Sequence, residues 1–423
     1  VQEKPKADLV IANASQVITC NGKTADKLGI EEGGWIAVSG ERILAVGSRS
    51  EVEAAAAIEQ ALAIDASGKV VVPGFVDCHT HTVFGGSRVG EYAARLTTDS
   101  PERLQQMGIE TGIHASVEMT RKASEEELGQ SAKERLLRML RAGTTTVEIK
   151  SGYGLTTKDE IKMLKVSARL AKELPIDLIQ TFLGAHGWPR NLSKEMYISV
   201  LIEEMIPWVR ELELATACDV WCDDGHFTVG ECARILEAGV AAGLAPKIHT
   251  DAYSYIGGSD LAAEMRMTSA DHLNYTPEKA MQKLADAGVT GVLMPALDFA
   301  VKHPRPFNAR ALIDAGVTVA LATNLCPGCW TESMQFVMVL ACRLYQMTPA
   351  EALRAATIGG AKALRLDHDR GSIECGKLAD LQIWNVPSYE HAIYRLGGNV
   401  VDQVVKRGQV VVSSMDTRGG GML

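Results

Sequence analysis

Val70-Val-Val-Pro-Gly-Phe-Val-Asp-Cys-His-Thr-His-Thr82 decides how the rest of the chain is read. An apolar run, Val70 to Val72, passes through Pro73-Gly74 into Phe75-Val76 and ends in two histidines one residue apart, His79 and His81. On a strand, residues i and i+2 point to one face. Both imidazoles therefore aim at one point where the strand gives way to a loop. Neutral imidazole is a common ligand of zinc and iron, and a pair from one rigid strand end supplies half of a tetrahedral site.

Upstream of this stretch the chain reads as short strands parted by turns. Leu9–Ala12, Gln16–Thr19, Trp35–Val38 and Ile43–Val46 carry the β-branched bias, with Asn21-Gly22 and Gly40 between them. Only Val52–Ile58 suggests a short helix. Downstream the pattern becomes strand–helix alternation. Candidate strands are Thr144–Ile149, Asp177–Leu183, Asp219–Cys222, Pro246–His249, Ser269–His272, Gly291–Met294 and Val317–Thr323; with the opening run they make eight. Ser124-Glu-Glu-Glu127 is a capping box that opens a helix with Leu128, Ala132, Leu136 and Leu140 on one face. A second helix is expected from Asp159 to Leu174, stopped by Pro175. Eight strands alternating with helices predict an α/β fold, a distorted (β/α)8 TIM barrel. Strands return after residue 362, in Leu378–Trp384 and Val400–Val412. The expected organisation is a small β-sandwich formed by both chain ends, residues 1–72 and 363–423, beside a catalytic barrel at 73–362. The tail Met415–Leu423 is expected to be loose.

A chain of 423 residues exceeds one ordinary core, which agrees with that division. A net charge of −9 and the lack of a basic stripe argue against nucleic acid as a partner. No apolar run reaches the roughly 20 residues that a membrane span needs. The polar opening, Val1-Gln-Glu-Lys-Pro-Lys-Ala-Asp8, shows no signal peptide, and nine scattered cysteines without framework spacing favour a reducing compartment. A cytoplasmic location is the expectation.

Functional side chains of a (β/α)8 barrel sit at the C-terminal ends of its strands. Strand one ends in His79 and His81, strand three in His186, strand five in His249, strand six in His272 and strand eight in Asn324. These five histidines are half of the ten in the chain, a bias that a random placement would rarely produce. With Pro73-Gly-Phe-Val-Asp-Cys-His-Thr-His81 and Gly371-Ser-Ile-Glu-Cys-Gly-Lys-Leu-Ala-Asp380, the chain resembles the amidohydrolase superfamily. Val147-Glu-Ile-Lys-Ser-Gly-Tyr-Gly154, Thr181-Phe-Leu-Gly-Ala-His186, Gly257-Gly258 and Ser269-Ala-Asp-His272 narrow the resemblance to the imidazolonepropionases. It implies one divalent metal, Zn2+ or Fe2+, held by His79, His81, His249 and residue 324. It also implies His272 beside the reacting carbonyl as a catalytic group, and Arg88, Tyr153 and His186 lining a pocket in which Arg88 reads a substrate carboxylate. A homodimer acting on a small carboxylate-bearing cyclic amide follows from the same resemblance.

Three positions depart from that pattern. Asn324 stands where the family has a metal-binding, proton-accepting Asp, and an amide can ligate but cannot act as a general base. Ala252 stands where Glu or Gln is expected, and Ser100-Pro101 where a pocket tyrosine is expected. These losses raise an alternative on the same metal site: ring-closing condensation (cyclodehydration) of an aromatic amino-carboxylate ester or amide. Tyr255 and Trp330 would then line an aromatic pocket. Two readings of another class are a redox pair at Cys326-Pro-Gly-Cys329 and a metal-free binding scaffold.

Overall fold

The computed structural model describes residues 3–414 apart from 24–26, 99 and 306; the expected loose tail lies outside the described residues. Eight parallel strands form the barrel sheet: β1 (Phe75–Asp77), β2 (Thr144–Lys150), β3 (Asp177–Ala185), β4 (Ala217–Cys222), β5 (Ala245–Thr250), β6 (Ser269–His272), β7 (Thr290–Leu293) and β8 (Val319–Leu321). Each pairs with its sequence neighbour, as βα units require. Between β8 and β1 no strand ladder forms among the described residues. Closure occurs beyond the strand ends: Asn324 N–H donates to His79 C=O (3.1 Å) and His81 N–H to Leu325 C=O (2.9 Å). Thr323 ties the same seam through its N–H (3.2 Å) and hydroxyl (2.6 Å), both donating to Asp77. These bonds set Asn324 beside both histidines of the opening stretch.

The opening run is divided. Val70–Pro73 leaves the barrel and pairs antiparallel with Leu381–Trp384 and parallel with Leu9–Ile18, in a second sheet made from both chain ends. Gly74 is the crossing point, and a Cβ there would lie 2.2 Å from the Thr145 hydroxyl. The first run ends at Pro73 because proline has no N–H for a ladder. In the second sheet Leu9 and Ile11 face one core with Ile36, Val38 and Leu381. Val10 and Ala12 face another that the helix Arg49–Ala55 covers. This is period-2 alternation with both faces buried. That helix starts at the Ser48 capping box, before the expected Val52, because Ser48 and Glu51 satisfy each other's backbone N–H groups.

The helix Glu125–Arg141 begins at Ser124 as predicted, with Leu128, Ala132, Leu136 and Leu140 buried. Thr157–Glu173 follows β2, capped by Thr156. Three helices that the sequence pattern did not disclose, Val89–Arg95, Pro101–Gln106 and Gly112–Lys122, fill the connection after β1. No helix among the described residues is long and apolar enough to cross a membrane.

Candidate active site

Alternation along the strands builds the site in layers. Glu148 and Lys150 on β2, Asp219 on β4, Lys247 on β5 and Asp271 on β6 are all buried inside the barrel. Lys150 Nζ lies 2.6 Å from Asp219, 3.1 Å from Glu148 and 3.4 Å from Asp271, and Lys247 Nζ 2.7 Å from Glu148. Burial alone would discharge these groups, yet the ring of opposite charge holds Lys150 above its ordinary range. Asp219 is likewise held well below the carboxylate range, by His249 and Lys150, against its burial. Burial wins at Asp271 and raises its carboxyl.

One step up the barrel lie the histidines. His79 Nδ1 is 2.6 Å from Asp271 and His249 Nδ1 is 3.1 Å from Asp219. A carboxylate on Nδ1 fixes that nitrogen as the donor and leaves Nε2 with a lone pair. Both Nε2 atoms are buried without a hydrogen-bond partner, as are His81 Nδ1 and Asn324 Oδ1. An unpaired buried acceptor costs about 1–3 kcal/mol. Four of them lie here, one on each residue of the expected ligand set, and a cation would satisfy them together.

Two imidazoles that share one tetrahedral ion hold their ring centres about 5 Å apart, given a metal–nitrogen bond of ~2.1 Å. The rings of His79 and His81 are 5.4 Å apart, His79 and His249 4.5 Å, and His81 and His249 5.7 Å. By closest ligand atoms the cluster is finer-grained. His249 belongs to three triads within 4.8 Å, one with His79 and His272, one with His81 and His186, and one with Asp219 and Asp271. Among the described residues no such triad contains both His79 and His81. His186 stacks on His81 with ring centres 4.9 Å apart and planes 8° from parallel, and its Nδ1 is 3.1 Å from Gly152 C=O. The stack orients the two rings face to face.

Burial pushes His79, His81 and His272 well below the ordinary imidazole range and His186 down to about 3. These four imidazoles are therefore neutral, the form that binds metal. The rim around it is strained. Asp251, His272, Leu273 and Asn324 all take positive φ (54°, 83°, 63° and 49°), a conformation that non-glycine residues hold only where the surroundings impose it.

The remaining expected residues divide. Tyr153 is buried with its ring 5.5 Å from His81, and Arg88 and Cys326 are its electrostatic neighbours. Tyr255 turns outward, its hydroxyl bonded to Asp260 and nearly half of its surface exposed. Trp330 also faces away from the imidazoles: it packs edge-on to Phe84, lies beside the Arg135 guanidinium and donates Nε1–H to Glu332 (3.1 Å). In both cases a carboxylate away from the imidazole cluster supplies the partner that the polar end of the ring needs. Ala252 is buried, its N–H bonded to Asp223 and its C=O to His303. Pro101 is the first residue of its helix, with Ser100 as the cap. The cysteines of Cys326-Pro-Gly-Cys329 form a two-residue turn closed by both backbone bonds. Their thiols have different partners, Tyr153 for Cys326 and Thr323 C=O for Cys329, and burial raises both, so neither is a ready thiolate.

Sequence reasoning missed Glu148, Lys150, Asp219, Lys247 and Asp271, although charged residues inside otherwise apolar strands were their signal. It also missed Trp221, which pairs in register with His249, lies 5.4 Å from the His186 ring and is stacked by His226.

A family model described as the amidohydrolase family matches residues 212–411. The imidazolonepropionase of Alkaliphilus metalliredigens is 43% identical over 415 residues, covering 96% of this chain and 98% of that protein. That of Geobacillus kaustophilus is 44% identical over 418 residues, with the same coverage. Among solved structures, a zinc-bound adenosine deaminase from Xanthomonas campestris superposes with a TM-score of 0.73 at 21% identity, covering 98% of this chain and 96% of that one. A triazine hydrolase variant gives 0.71 at 18%, covering 96% and 95%. These two show the barrel-plus-sheet fold. The identity carried along almost the whole length of the curated relatives shows more: this chain belongs to the imidazolonepropionase family of amidohydrolases.

Proposed function

We propose that the protein is a metal-dependent hydrolase that opens the C–N bond of a small cyclic amide bearing a carboxylate, an imidazolone propionate or a close analogue. The observation that carries this reading is the set of unpartnered buried acceptors on His79, His81, His249 and Asn324. Those four residues would hold one divalent ion, Zn2+ or Fe2+. Such an ion polarises a carbonyl and brings the pKa of a water ligand toward ~7. The chain's own groups do the rest. Asp271 and Asp219 orient His79 and His249. His272, neutral and in van der Waals range of both rings, takes the proton of the attacking water and passes it to the leaving nitrogen. Tyr153 and His186 bound the pocket, and Arg88 binds the substrate carboxylate as a guanidinium fork.

Loss of the imidazolone absorbance, followed with 4-imidazolone-5-propionate after chelation and after adding back Zn2+ or Fe2+ separately, tests the reading. Turnover should vanish with the metal and return with one of the two ions. Turnover unchanged in metal-free protein would overturn it. One observation favours a second reading on the same site: Asn324 offers no base for water. In a ring closure, a substrate's own amine or hydroxyl adds to the carbonyl and water is expelled, so the missing carboxylate costs less. An aromatic ortho-amino ester or amide incubated with the protein would give a cyclised product under this reading and only its hydrolysis products under the first.

A further inference from the structure

The helix Val89–Arg95 inverts the usual order of a surface helix. Val89, Tyr92 and the following Leu96 are 64–68% exposed, while Glu91 between them is 5% exposed. Amphipathic helices bury hydrocarbon and expose carboxylate, so an acid on the inner face needs a reason. Its contacts supply one. Glu91 accepts two parallel bonds from Arg88, from Nε at 2.6 Å and Nη2 at 2.8 Å, and one from Arg95 Nε at 2.9 Å. Burial would raise its carboxyl, yet Arg88 and Arg95 hold it below the ordinary range, so the trio is ionic at neutral pH. On the other side of the guanidinium stands the turn after β8. A Cβ on Gly328 would be 3.3 Å from Arg88 Nη1, and Tyr153 and Cys326 are the next neighbours. Arg88 is thus gripped along one edge by Glu91, and its Nη1 edge lies on the side of the Cys326–Cys329 turn and Tyr153, where the pocket begins.

We propose that Glu91 is the positioning residue for carboxylate recognition: by holding two nitrogens of Arg88, it presents Nη1 to the substrate. The inference rests on Arg88 being the carboxylate reader. It also gives the Cys326-Pro-Gly-Cys329 turn a role, with Gly328 as the position that leaves Arg88 its space. A guanidinium free on a long stem would have to lose its rotamer freedom on binding, whereas one already clamped does not.

The test uses the metal-loaded full-length protein with 4-imidazolone-5-propionate and its carboxamide, and calorimetric binding of imidazole-4-propionate as a readout without turnover. Arg88→Ala should raise KM for the acid and leave KM for the carboxamide unchanged; no change for the acid overturns the role of Arg88 itself. Glu91→Gln should raise KM for the acid and Kd for imidazole-4-propionate about tenfold, with kcat within about twofold and the carboxamide unaffected. If Arg88→Ala has its effect and Glu91→Gln changes nothing, or shifts acid and carboxamide alike, the positioning role falls while the Arg88 reading stands. Should the Gln variant melt below assay temperature, Glu91→Asp carries the test with the same expected split.

Discussion

Asp219→Asn is the most informative single change, because Asp219 touches both the charged layer and His249, one of the proposed metal ligands. Its Oδ2 is 2.6 Å from Lys150 Nζ and its Oδ1 3.1 Å from His249 Nδ1. The amide keeps the shape and still accepts from His249, but the negative charge is gone. Two costs follow and can be measured apart. Stripping one partner from a buried ion pair costs about 3–5 kcal/mol when nothing else compensates. Here Lys150 keeps Glu148 at 3.1 Å and Asp271 at 3.4 Å, so the loss should fall at or below the lower end, about 2–3 kcal/mol. Metal affinity should fall separately, about 10–100-fold, because His249 loses the carboxylate that sets its tautomer and basicity. At saturating metal that adds about 1.4–2.7 kcal/mol to the stability deficit. Urea titrations of metal-free and metal-loaded protein, with competition against a chromogenic chelator, separate the terms. The deficit should be larger in the loaded protein. An equal deficit in both forms, with unchanged metal affinity, would refute the argument that Asp219 acts through His249.

Asn324→Asp restores a carboxylate at the seam between β8 and β1 and should tighten metal binding. If water activation limits the reaction, it should also raise hydrolytic kcat by about 10²-fold, read from steady-state kinetics; an unchanged kcat means that proton acceptance is not limiting. Acid should destabilise the metal-free protein: unfolded imidazoles titrate near ~6.5, whereas His186 and His226 are held down to about 3 and about 4 by burial, and His79, His81 and His272 well below their ordinary range. The unfolded chain then binds more protons, so stability is full above pH ~6.5 and is lost as the pH falls from there toward 4. A urea midpoint constant from pH 7 to pH 5 would contradict this. Cys326 and Cys329 should resist iodoacetamide at pH 8 in the folded protein while exposed Cys375 reacts, as mass spectrometry of peptides would show.

What the sequence determined by itself was local. The Val70–Thr82 stretch fixed where strand, turn and paired histidines lie, since alternation and the proline break depend on adjacent residues only. The order of the barrel strands, the Ser124 cap and the strand-end positions of His186, His249, His272 and Asn324 followed from the same short-range rules. Tertiary structure decided whatever joins distant segments. Asp271 meets His79 across 192 positions, and no spacing rule links them. Glu91, which no motif singled out, is paired by Arg88 and Arg95, and Tyr255 and Trp330 turn outward because Asp260 and Glu332 offer their polar ends a bond. A strand's periodicity fixes which way its side chains point, whereas a loop residue's direction depends on which partner the finished fold brings within reach.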